Sequence, residues 1–124
     1  MTKNNKKILI VEDDEDFLFI LKNKFTAEGF DIVTAKDGQD GIMVTEKEKP
    51  DLILSDVLMP KMDGITMAKT IKASNPGIPI ILLTNIKDVE TVMNAPQGTF
   101  DYLIKSDTRI NEIVDKAKSK LSIK

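Results

Sequence analysis

Acidic residues end two of the apolar runs in this chain, and their types and spacing suit chemistry. The run ILIV (8–11) breaks off at Glu12 and Asp13, and DLILS (51–55) breaks off at Asp56. Two further runs end on a hydroxyl and an ammonium: IPIILL (78–83) on Thr84 and FDYLI (100–104) on Lys105. Clustered carboxylates repel one another. A hydrated Mg²⁺ (or Mn²⁺), which prefers oxygen ligands and keeps several waters, relieves that repulsion. A carboxylate nucleophile, a divalent cation and donors for the remaining charge can together carry out phosphoryl transfer to aspartate. Asp56 is the nucleophile candidate. Any one of these residues alone has a plainer reading: an acid at a strand end caps the next helix, as expected of Asp14, and turns are rich in threonine and lysine. Their joint placement at successive run ends sets them apart.

For these residues to meet, the runs must be strands of one sheet. Five short apolar runs, including DIVTA (31–35), alternate with stretches of helical period, the pattern of a parallel α/β sheet. The first, third and fourth are almost continuously apolar and predict central strands, while DIVTA alternates and predicts an edge. The expected fold is a single-domain, doubly wound, flavodoxin-like sheet of five parallel strands in the order 2-1-3-4-5 with five flanking helices. In such sheets the ligand site lies beyond the carboxyl ends of the strands, where the strand order reverses. The first helix follows Asp14, buries Leu18, Leu21 and Phe25 and stops at Gly29. Asp-Gly turns open the second and third helices at Asp37 and Asp63, with Pro50 and Pro76 closing them. KDVETVMNA (87–95) predicts a short fourth helix cut by Pro96 and Gly98. The last helix begins near Ser106 or Asp107 and buries Ile110, Ile113, Val114, Ala117 and Leu121.

Composition narrows the chemistry. The chain has no cysteine and no histidine, which excludes disulfides, thiolate and imidazole catalysis and the usual zinc ligands. A formal net charge of -2, from 18 basic and 20 acidic residues, provides no basic field for direct nucleic-acid binding. No apolar run approaches a membrane span, and MTKNNKK lacks the apolar segment of a secretory signal, so a cytoplasmic location is expected. At 124 residues the chain suits one domain from end to end, its core at about residues 6–122, with no output domain.

The chain resembles a response-regulator receiver domain of two-component signalling over nearly its whole length. ILIVEDDE (8–15), DLILSDVLMPKMDG (51–64), ILLT (81–84) and DYLIK (101–105) are that family's motifs in its order. The resemblance implies that Asp56 accepts a phosphoryl group from a phosphohistidine. It implies that Asp13 and Asp56 bind Mg²⁺ directly, Glu12 through water and Leu58 through its backbone carbonyl. Thr84 is then the switch hydroxyl, Lys105 the ion-pair partner of the phosphoryl group and Tyr102 an aromatic switch. The implied partners are a histidine kinase or histidine phosphotransfer protein and a downstream target protein. The implied molecule is a stand-alone receiver, monomeric or weakly dimeric on phosphorylation. It is a signalling phospho-acceptor and not an enzyme.

Four positions depart from the family pattern. Ser106 follows Lys105 where proline is usual, so a trans bond with a reshaped loop, or a strained cis bond, is expected. Asn85 follows the switch hydroxyl where a small residue is usual. Leu58 and Ile86 stand where polar side chains commonly tune attack by water on the phosphoaspartate, which implies slow self-dephosphorylation. In FLFIL (17–21), Phe19 points away from the buried face and is a candidate docking residue for a kinase. Three rival functions share parts of this pattern. An aspartyl-phosphate phosphatase lacks its second aspartate, because Leu58 stands there. A flavin carrier is opposed by the acids of EDDED. A pseudo-receiver, which binds a partner without phosphorylation, keeps the fold and drops the chemistry.

Overall fold

Strands covered on both faces bury every side chain, and this condition selects the centre of the sheet. The computed structural model describes residues 4–85 and 100–123. Its strands are β1 (Lys7–Val11), β2 (Asp31–Ala35), β3 (Leu52–Asp56), β4 (Ile80–Thr84) and β5 (Asp101–Ile104). They form one parallel sheet in the order β2-β1-β3-β4-β5, as expected. β3 and β4 are buried at every position, whereas β2 at the edge is partly exposed. Side chains alternate between faces along a strand. Leu9, Val11, Ile53 and Leu82 therefore join one apolar cluster, and Ile8, Ile10, Leu54 and Leu83 join another.

Each cluster is closed by two helices. Met67, Ala68 and Ile71 of α3 (Gly64–Ser74), with partly buried Ile42 and Val44 of α2 (Gly38–Glu48), cover the first. Leu21 and Phe25 of α1 (Glu15–Ala27), with Ile113, Val114 and Ala117 of α4 (Ile110–Lys120), cover the second. Of the five helices expected, these four fall among the described residues. The helix expected over 87–95, with Pro96 and Gly98, lies outside them. No helix among the described residues is long and apolar enough to cross a membrane.

Three helices open on the aspartates that the sequence singles out. Asp14 accepts the Asp16 and Phe17 amides, Asp37 that of Asp40 and Asp63 that of Thr66, each satisfying donors a helix start leaves free. Gly29 takes the left-handed conformation after α1, with φ 96°. The last helix corrects the expectation. Lys105–Asp107 form a single 3-10 turn, and α4 starts at Ile110 with Arg109 as N-cap, not at Ser106 or Asp107. The Glu112 carboxylate accepts the Arg109 amide at 3.1 Å, so acceptance from three residues inside the helix replaces a capping serine or aspartate. The Lys105–Ser106 peptide is trans, the first of the two outcomes expected where proline is missing.

Candidate functional site

The parallel register brings the carboxyl ends of the strands to one edge. Val11 pairs with Ser55, and Asp56 with Leu83, so Glu12 and Asp13 follow β1 beside the end of β3. The Glu12 amide donates to Ala35 O at 3.0 Å, and the Val57 amide to Leu83 O at 2.9 Å; these bonds fix the chain just beyond the sheet. The carboxylates of Glu12, Asp13 and Asp56 each offer an oxygen within 4.8 Å of the others. Glu12 and Asp56 are buried, and Asp13 is exposed. The site therefore has two acids in the floor and one at the mouth.

Lys105 ties the floor together. Its ammonium donates to Glu12 Oε1 at 2.9 Å and to Asp56 Oδ2 at 3.0 Å, linking residues 93 and 49 positions away in sequence. Glu12 Oε2 accepts the Asp14 amide at 3.4 Å. Asp56 Oδ1 is buried and has no hydrogen-bond partner among the described residues. Burial pushes the Glu12 carboxyl up to about 7; the negative charge of Asp56 pushes it the same way, and the Lys105 bond opposes both. For Lys105, burial favours the neutral amine, but the bonds to Glu12 and Asp56 outweigh it and hold the ammonium above its usual range.

Three neighbouring carboxylates, two of them bonded to one ammonium and one with a buried oxygen unpaired among the described residues, form an all-oxygen donor set suited to a hard divalent cation. Glu12, Asp13 and Asp56 are the residues that could hold it. Leu58 lies two positions beyond Asp56 and is 55% exposed, so its side chain faces solvent.

Thr84 and Tyr102 are engaged elsewhere than with these carboxylates among the described residues. Thr84, buried at the end of β4, donates its hydroxyl to the Asn85 carbonyl at 3.2 Å. Tyr102 pairs with Leu82 in the sheet and packs against the first apolar cluster, and its buried hydroxyl has no partner among the described residues. Desolvation raises the pKa of that phenol. Ile86, expected to flank the site, lies outside the described residues.

Two residues acquire roles that the sequence reading did not give them. The Lys105 ammonium sits over the ring of Phe17, 4.6 Å from its centroid, whereas the sequence drew attention to neighbouring Phe19. Phe19 is 66% exposed, as its helical position predicts. Gly64, read as part of a turn, also lies against the backbone of the nucleophile candidate. A Cβ there would collide with the Asp56 carbonyl oxygen, and the Gly64 amide donates to Val57 O at 2.7 Å. Helical phase pointed weakly to Phe17; only the close approach of two backbones reveals the second role of Gly64.

Known proteins resemble this chain in sequence and fold. The family profile described as "Response regulator receiver domain" matches residues 8–118. The chain is 38% identical over 102 residues to the alkaline phosphatase synthesis transcriptional regulatory protein PhoP of Bacillus subtilis, covering 82% of this chain and 42% of PhoP. It is 40% identical over 106 residues to the transcriptional regulatory protein ZraR of Escherichia coli K12, covering 85% of this chain and 24% of ZraR. The chain thus spans less than half the length of these curated relatives. Among solved structures, the receiver domain of the Francisella response regulator 1452 superposes with a TM-score of 0.81 at 27% identity, covering 95% of this chain and 98% of that one.

Proposed function

The chain belongs to the response-regulator receiver family, and from that premise we propose that it takes a phosphoryl group on Asp56 from the phosphohistidine of a histidine kinase or phosphotransfer protein. A surface that a downstream protein reads then changes. The observation that carries the proposal is the Lys105 ammonium bridging Glu12 and Asp56 beside the exposed carboxylate of Asp13.

In the transfer, an Asp56 carboxylate oxygen forms a bond to phosphorus as the phosphorus–nitrogen bond breaks, and the imidazole nitrogen keeps the electron pair. Asp56 Oδ1 has no competing hydrogen bond among the described residues, while Oδ2 is held by Lys105. Asp13, Asp56 and the Leu58 carbonyl would hold Mg²⁺, with Glu12 engaging it through water, and the bound ion would supply positive charge against that gathering on the phosphoryl oxygens. Lys105 supplies a second positive charge from the floor of the site. The Thr84 hydroxyl now donates to a neutral carbonyl. A phosphoryl oxygen is the stronger acceptor, so its arrival draws Thr84 inward and vacates space that Tyr102 takes up.

The experiment is incubation with Mg²⁺ and acetyl phosphate, followed by intact mass measurement of wild type and Asp56→Asn. An adduct on wild type alone supports the reading. No adduct on wild type, even with a kinase present, overturns it in favour of a phosphorylation-independent binding module. The names of the relatives put transcription among the outputs such a domain serves.

A further inference from the structure

The Lys105 ammonium has three faces to satisfy. Two are met by Glu12 Oε1 and Asp56 Oδ2, and toward a third lies the ring of Phe17, 4.6 Å away. An aromatic face attracts a cation through its quadrupole without supplying an acceptor atom. Phe17 is itself fixed. It sits in the first turn of α1, its amide donates to the N-cap carboxylate of Asp14 at 3.3 Å, and it packs against the second apolar cluster. Lys105, in contrast, opens a 3-10 turn just past β5 and carries a long side chain with many rotamers.

We infer that Phe17 is a positioning residue: its ring holds the Lys105 ammonium over Asp56 while the ammonium changes oxygen partners. This rests on the phosphoryl-acceptor reading above. When a phosphoryl group joins Asp56, the ammonium must leave carboxylate oxygens for phosphoryl oxygens. A hydrogen-bonding neighbour would have to be broken and remade in that move. A ring face tolerates a lateral shift, because its attraction is spread over the face and is not aimed at one atom. An aliphatic residue of similar bulk would fill the space and leave the ammonium to its carboxylates and water.

The test compares Phe17→Leu, which keeps the bulk, with Phe17→Tyr, which keeps the face, each also combined with Lys105→Met. Phosphorylation by acetyl phosphate in saturating Mg²⁺ is expected to slow roughly fivefold in Phe17→Leu, to be near wild type in Phe17→Tyr, and to show no further effect of Phe17→Leu once Lys105 is Met. Equal rates for Phe17→Leu and wild type, equal slowing in Leu and Tyr variants, or an undiminished effect in the Lys105→Met background each overturn the inference.

If wild type takes up no phosphate, the phosphoryl-acceptor reading fails, and wild type, Phe17→Leu, Lys105→Met and the double variant unfolded by urea in EDTA decide on Phe17. Non-additive effects of Phe17→Leu and Lys105→Met, by roughly fivefold in the folding equilibrium constant, support it; additive effects overturn it.

Discussion

Glu12 shows at the scale of one residue how this carboxylate cluster works against stability. It is 2% exposed, faces the charge of Asp56 and shares a single ammonium with it. Its carboxyl is raised from 4.5 to about 7 by burial first and by Asp56 second, so the folded state prefers the protonated form. The sign follows: the Glu12 contribution is fully present below 4.5 and is lost as pH rises through about 7. Glu12→Gln is therefore expected to stabilise the metal-free protein at pH 8 by on the order of 1 kcal/mol, with the gain gone near pH 5. Thermal unfolding in EDTA at the two pH values reads this directly. The same substitution should weaken the thermal stabilisation that Mg²⁺ confers on wild type. On the phosphoryl-acceptor reading, Leu58 bears on the lifetime of the signal. An exposed aliphatic two positions past Asp56 can neither activate nor orient water. The phosphorylated wild type is expected to persist for minutes or longer, and Leu58→Asn to shorten that lifetime; decay within seconds in wild type would contradict this.

Among the elements, the ends of α2 and α3 hold the most informative backbone. Lys49 closes α2 in the left-handed region, φ 50°, where a Cβ is crowded and glycine is at ease. Its ion pair with Glu46, 3.5 Å long and well exposed, adds little. Lys49→Gly is expected to raise stability by about 1 kcal/mol in urea titration. Gly64 at the start of α3 is the opposite case. A methyl group there meets the Asp56 carbonyl and the Val57 backbone, so Gly64→Ala must shift either the helix or the end of β3. It is expected to cost about 2 kcal/mol or more and to slow phosphorylation, as measured by unfolding and by phosphate uptake. The sequence made Asp63-Gly64 legible as a helix start, because capping chemistry is local. It did not make the contact with Asp56 legible, because that depends on how closely α3 packs on β3. The start of α4 went astray for the related reason that Ser106 and Asp107 look like caps, while the chain first makes a 3-10 turn and is then capped from within by Glu112.

For the whole molecule, distant parts of the chain are fastened across the second apolar face. Lys118 of α4 donates to Glu28 at the end of α1 at 2.6 Å, across 90 positions of sequence. The Lys118 bond lowers the Glu28 carboxyl below 4.5, so the pair contributes above that value and is lost as pH falls through the lowered one. Lys118→Gln should thus trail wild type in unfolding free energy at pH 7, and the gap should close as pH falls through the lowered pKa of Glu28. Sequence by itself determined the layer order, the central strands and the aspartate caps, and it placed Glu12, Asp13, Asp56, Thr84 and Lys105 at successive strand ends as candidates, because apolar periodicity and strand-end chemistry are written residue by residue. Tertiary structure alone decided that Lys105 bridges Glu12 and Asp56 while Thr84 is engaged with Asn85, that Phe17 and not Phe19 faces the ammonium, and that Gly64 lies against Asp56. Those facts depend on distances between segments far apart in the chain, and packing sets such distances only once the sheet has brought its strand ends together.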